Sequence, residues 1–236
     1  RRALAIYSDL AFAHFEVAMV HIARGQMQLA AEALRMGTPL QDRQAGRASR
    51  YPASGLHWLL GLVLLAQGQI DDAQAEFQRE LETGAPSSLY HVEFTMNAHD
   101  GRGFASLASR QPDVGAAAFR RALSLMPGHA RSHLGLAACQ LASGHKADAQ
   151  RELEHAERSI AELARAGRHL EAALLGAMAA VVRGRPTDAI STLDRLLTEA
   201  PSGYPGWTIP IEPLLKPLQA QPEFGPLLAK LKERAR

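Results

Sequence analysis

Cysteine is almost absent from this 236-residue chain. Cys139 stands alone, which excludes an internal disulfide and a cysteine-based zinc site. Asn97 is the only asparagine, and no Ser or Thr follows it at the spacing that N-glycosylation requires. Aromatics make up 6%, while alanine and leucine dominate. That balance favours helix over strand and excludes an all-β fold. The most apolar run, Leu56 to Ala66, is far too short to span a bilayer, so no membrane contact is expected. Charge of one sign is lacking as well: 26 basic residues face 24 acidic ones, for a net charge of +2. The arginines are interspersed with Asp and Glu and form no basic stripe, so no nucleic-acid contact is expected. With 47% hydrophobic and 21% charged residues, the chain has the composition of a folded protein.

Catalytic and cofactor motifs are also lacking. There is no phosphate-binding Gly-x-x-x-x-Gly-Lys and no Gly-x-Ser-x-Gly elbow. Gly101-Arg102-Gly103-Phe104-Ala105-Ser106 lacks the third glycine of a dinucleotide loop and falls in a helical pattern without a preceding strand. His129 and His133, spaced i, i+4, share a helix face but have no third or fourth ligand at matching spacing. Cys139 sits in an apolar helical stretch with no adjacent base to activate it. No enzyme activity, metal or cofactor is therefore expected.

What the chain does have is an internal repeat. Leu60-Gly61 precedes Gly68, Ala73 and Phe77; Leu136-Ala137 precedes Gly144, Ala149 and Leu153; Gly176-Ala177 precedes Gly184, Ala189 and Leu193. Val17-Ala18 leads into Gly25, Ala30 and Leu34, and a looser copy runs Gly103, Asp113, Gly115, Phe119, Ala122 and Pro127. Each copy reads as two helices, A and B. The small residue on A lets B approach, and the glycine ends A with a positive φ. The buried alanine marks the crossing, and Phe77, Phe119, Leu153 or Leu193 fills the gap to the next copy. The third copy has Arg110 where the turn glycine belongs. A histidine occupies one packing slot in four copies: His14, His57, His99 and His133. Packing is expected for these, with one ring nitrogen bonded to backbone or water; four residues one repeat apart cannot converge on one reaction centre.

The pattern from about Ala11 to Pro201 resembles the tetratricopeptide repeat. The resemblance implies an all-α fold: a right-handed α-solenoid of antiparallel helix pairs, about five in number, with a proline-rich C-terminal cap. The expected A helices lie near 9–24, 52–67, 88–110, 129–143 and 168–183, and the B helices near 27–36, 70–83, 112–125, 146–166 and 186–199. Thr38 to Pro52 reads as a polar loop and Gly84 to Ser88 as a second break. Two regions follow, a repeat array over 1–201 and a proline-rich segment with a short capping helix over 202–236. Leu193, Leu196 and Leu197 would need that cap, and Trp207, Ile211, Leu214, Leu215, Phe224, Leu227 and Leu231 could supply it.

In such repeats the A helices line the concave face. Counting from the packing histidine places Phe15, Met19, Trp58, Leu62, Leu65, Phe104, Leu107, Leu134, Leu141, Leu174 and Met178 there, as an apolar peptide-binding groove. Ile22, Asp100, Ala138 and Val181 fall in the same count. The expected function is a non-catalytic protein-interaction or regulatory module that binds an apolar peptide or helix in the groove. The partner would be a protein or peptide, or another domain of the parent protein. The alternative is a structural spacer or self-association module whose groove is filled by its own chain. Arg1-Arg2-Ala3-Leu4 reads as the end of a helix already under way, and segment 207–224 is similar to the end of repeat arrays in large bacterial signalling proteins. A fragment of such a protein is expected, cytoplasmic, or periplasmic if the parent has an upstream transmembrane segment. The sequence leaves the oligomeric state open.

Overall fold

A computed structural model describes residues 10–45, 52–83, 90–201, 203 and 205–235. Five helix pairs follow one another. The A helices are α1 (Ala11–Ala23), α3 (Leu56–Ala66), α5 (His91–Ala108), α7 (Ala130–Ala142) and α9 (His169–Val182). The B helices are α2 (Met27–Ala45), α4 (Ile70–Thr83), α6 (Pro112–Leu125), α8 (Lys146–Arg165) and α10 (Pro186–Glu199). Each helix packs on its chain neighbours, and successive A helices also touch, which makes the array an α-solenoid. There is no strand among the described residues. The expected break at 84–88 and the segment Arg1 to Ser8 lie outside the described residues.

The A-to-B turns need one residue with positive φ. Gly25, Gly68, Gly144 and Gly184 supply it at φ 72–82°. Arg110 takes the same place at φ 58°, the only described non-glycine residue that does so. The turn's hydrogen bonds persist there: Arg110 N–H donates to Leu107 O and Gln111 N–H to Ser106 O, as Gly25 and Gln26 do to Ile22 and His21.

Packing between repeats rests on aromatic rings seated on glycines. Phe77 and Phe119 are completely buried. A Cβ placed on Gly61 would lie 2.5 Å from the Phe77 ring, and one on Gly101 2.4 Å from it. Phe119 stands in the same way between Gly103 (2.7 Å) and Gly135 (2.3 Å). Each B-helix ring is thus wedged between its own A helix and the next one. Both glycines of Gly101-Arg102-Gly103 are ring seats, which accounts for that motif by packing. The crossing alanines Ala30, Ala73, Ala149 and Ala189 are all fully buried.

The expected loop from Thr38 is corrected by the structure: α2 continues through Pro39 to Ala45. The reason is that its polar residues are buried partners. Gln41 donates to Glu80 Oε2 (3.1 Å) and accepts from Leu56 N–H (2.9 Å). The Glu80 side chain, 1% exposed, also accepts Gly55 N–H (2.8 Å) and Trp58 N–H (3.1 Å) at the start of α3. A carboxylate on the free N–H groups of a helix start is the stabilising polarity.

After α10 the chain doubles back. Two 3₁₀ segments, Ile209–Ile211 and Pro213–Ala220, precede α11 (Phe224–Arg234). Ile209, Ile211, Leu214, Leu215, Leu218, Phe224, Leu227 and Leu231 are at most 5% exposed. Each such side chain contributes about 1.5–3 kcal/mol before the entropy of ordering the segment is subtracted. Leu193, Leu196 and Leu197 are buried beneath this tail, which caps the array. Lys230 Nζ pairs with Asp194 Oδ1 (2.7 Å), and Arg24 Nε donates to Ala235 O (2.7 Å). The tail therefore ties the last helix pair to the first turn.

The ring seats can be tested with two substitutions of the same kind. Gly101→Ala is expected to destabilise by about 1–3 kcal/mol, because its Cβ meets a ring with no room to move. Gly176→Ala, with nothing within 4 Å of the new Cβ, is expected to be neutral or to stabilise by up to about 1 kcal/mol. Equal effects in denaturant unfolding would refute the wedge.

Candidate binding groove

The tail lies along the A helices, which carry the counted residues. Ile209–Ile211 packs on α1 and α3, and Pro213–Ala220 packs on α9. The Phe15 ring stands edge-on to Trp207, with centroids 6.4 Å apart. Leu65, Phe104 and Leu107 face Ile211, Pro213 and Leu214 across a cavity of about 370 Å³. Every A helix thus meets or faces the tail.

The counted residues fall into three groups. Phe15, Leu62, Leu65, Phe104, Leu134 and Met178 are buried, at 0–8% exposure. Met19, Trp58, Leu107 and Leu174 are half-buried against the core. Leu141, at 40%, is exposed. Trp58 packs on Phe94 (5.7 Å), and Phe104 packs edge-on to Phe119 (4.8 Å). The tail lies against Phe15 of α1, Leu65 of α3, and Phe104 and Leu107 of α5.

One polar cluster crosses this wall. Arg131 of α7 donates from Nε to Glu212 Oε2 of the tail at 2.9 Å, a buried contact between residues 81 apart. Its guanidinium lies 4.6 Å from the centre of the Phe104 ring. Arg131 Nη1 stands 3.6 Å from Asp100 Oδ2. Asp100, fully buried, accepts from Ser132 Oγ at 2.7 Å. Glu212 Oε1 also accepts Leu214 N–H (3.2 Å), so the same carboxylate starts its own 3₁₀ segment. Counting from the histidine missed Arg131 because the count began at Leu134, one position past His133. Arg131 lies three residues before Leu134, on the same helix face one turn earlier.

The slot histidines have more charged partners than packing alone suggests. His57 is fully buried, with Nδ1 2.6 Å from Glu76 Oε2 and Nε2 2.9 Å from Asp42 Oδ1. Both ring nitrogens facing carboxylates favour the imidazolium, which donates twice. Burial acts to lower its pKa, but the hydrogen bonds and charges of Glu76 and Asp42 prevail and raise it. His133 repeats half of this arrangement, with Nδ1 2.6 Å from Glu152 and Nε2 2.9 Å from Pro127 O. His99 goes the other way: burial, then Arg102 and Arg121, lower its pKa. His129 turns away from His133 to Ser132 Oγ (2.7 Å). Among the described residues no group of three His, Cys, Asp or Glu could hold a metal. Burial pushes the Cys139 thiol up to about 12, far from a reactive thiolate. No helix among the described residues is long and apolar enough to cross a membrane.

Glycine-seated helix pairs stacked in sequence, with the tail over the last pair, define an α-solenoid of helical repeats. Residues 106–162 and 144–204 each match a tetratricopeptide-repeat profile. Among solved structures, the chain is similar to PilW, titled a widely conserved type IV pilus biogenesis factor. The identity is 17% and the TM-score 0.57, over 93% of this chain and 87% of that one. It is also similar to MamA, at 16% identity and TM-score 0.52, over 70% of this chain and 86% of that one. These likenesses establish the fold. No curated protein sequence matches the chain.

The opposite surroundings of His57 and His99 predict opposite pH effects. The raised pKa of His57 stabilises the fold below the unfolded value near 6.5, and this is lost as pH rises through the folded value. The lowered pKa of His99 costs stability as pH falls below that same value. His57→Gln should therefore lose most melting temperature at pH 5.5 and less at pH 8.5. His99→Gln should fare relatively better at pH 5.5. Parallel shifts for both variants would contradict the pairing.

Proposed function

We propose that the chain is a non-catalytic protein-interaction module that receives an apolar peptide or helix along its A helices. The observation that carries this reading is the tail itself. The A helices already carry such a segment, Trp207 to Leu218, wound in two short 3₁₀ stretches, punctuated by prolines and held by the Arg131–Glu212 contact. Prolines restrict the unfolded chain, so such a segment loses less entropy on docking. The tetratricopeptide-repeat matches support a protein or peptide as the partner class. The likeness of the tail to array ends in large bacterial signalling proteins supports placing the module in such a protein.

The same observation favours a second reading. A groove filled by its own chain is what a structural spacer would have, with the tail as a permanent cap over Leu193, Leu196 and Leu197. The two readings part on whether the occupant exchanges. A protease site inserted between Pro201 and Pro205, cut after purification, separates tail from array. The binding reading predicts that the array stays monomeric and exchanges the cut segment, saturably, for a labelled copy. Aggregation on cleavage, or a segment that never exchanges, would establish the spacer.

A further inference from the structure

We propose that Arg131 makes the groove selective for a segment with a carboxylate inside an apolar, proline-flanked run. The chain's own 207–218 segment is then a displaceable occupant of that place. This rests on the groove-binding reading above and names the chemistry of the partner.

Arg131 is out of place in a purely structural wall. It is 8% exposed, and every counted neighbour on α7 is apolar. A buried guanidinium is costly unless paired, and a Leu or Met would fill the space without that cost. Its position is fixed from below by the Phe104 ring, 4.6 Å away, and from the side by Asp100. Asp100 is itself held by the Ser132 hydroxyl. When the tail leaves, Asp100 still balances the charge, so an open groove would not bury a naked cation.

The tail uses Arg131 incompletely. Glu212 reaches only Nε, and Nη1 and Nη2 are buried without a hydrogen-bond acceptor among the described residues. Trp58 Nε1 is a further buried donor without an acceptor among the described residues. A guanidinium meets a carboxylate best through two parallel N–H donors. Unmet donors raise the free energy of the docked tail. The cavity of about 370 Å³ between Leu65, Leu107 and Pro213 shows that the tail also leaves apolar wall unfilled. A partner segment that takes two guanidinium N–H groups and fills this cavity would outcompete the tail.

The test uses the full chain and a labelled peptide copying residues 206–219, followed by fluorescence anisotropy. A groove occupied in cis lowers apparent affinity by the fraction of time it is open. Glu212→Ala in the chain weakens the cis contact while leaving Arg131 with Asp100. This variant is expected to bind the peptide about tenfold more tightly than the unaltered chain, or better. Adding Arg131→Met to that chain, or using the Glu212→Gln form of the peptide, is expected to undo the gain by about tenfold. Equal binding of both peptides by the Glu212→Ala chain would overturn the selectivity and leave groove binding standing. No binding of either peptide by a cooperatively folded Glu212→Ala chain would overturn both. Should that variant fail to fold, Trp207→Ala takes its place, with the same outcomes deciding.

Discussion

The fold depends on two phenylalanine rings having somewhere to sit. Phe77 and Phe119 project from B helices between consecutive A helices, and glycines at Gly61, Gly101, Gly103 and Gly135 leave room for them. Interiors pack at crystal density, so a ring of that size and a methyl group cannot share the space. The wedge fixes the spacing of the A helices.

An apolar groove in water has to be covered or used, and here it is covered. The tail brings its prolines, Trp207, Ile209, Ile211 and Leu214 to that face, and runs on to Arg24 at the first turn. Burial of these side chains supplies the energy of docking, while the Arg131–Glu212 pair supplies its register. A buried pair of this kind contributes little net stability of its own.

Much of the fold was legible in the sequence because glycine and alanine spacing is read directly by helix packing. The turn glycines, the crossing alanines and the anomalous Arg110 all stand where the repeat phase puts them. What misled was polarity. Gln41 fell in a segment read as a polar loop but is buried with Glu80 around the start of α3, so α2 runs on where a loop was expected. His57 looked like a packing residue but is held by two carboxylates, one on each adjoining B helix. Asp42 precedes it by 15 residues and Glu76 follows by 19, and only the folded array brings them together. Arg131 and Glu212 were silent for the same reason, being 81 residues apart. Apolar periodicity reports a face; it does not report a partner delivered from the far end of the chain.

That partner is open to direct measurement through a double-mutant cycle. Arg131→Met, Glu212→Gln and the double variant would be unfolded in denaturant alongside the parent chain. If the tail sits on α7, the two losses should be non-additive, with a coupling of about 1–3 kcal/mol. Additive losses, within about 0.5 kcal/mol, would show that Glu212 does not rest on Arg131 and that the groove is not held by the tail.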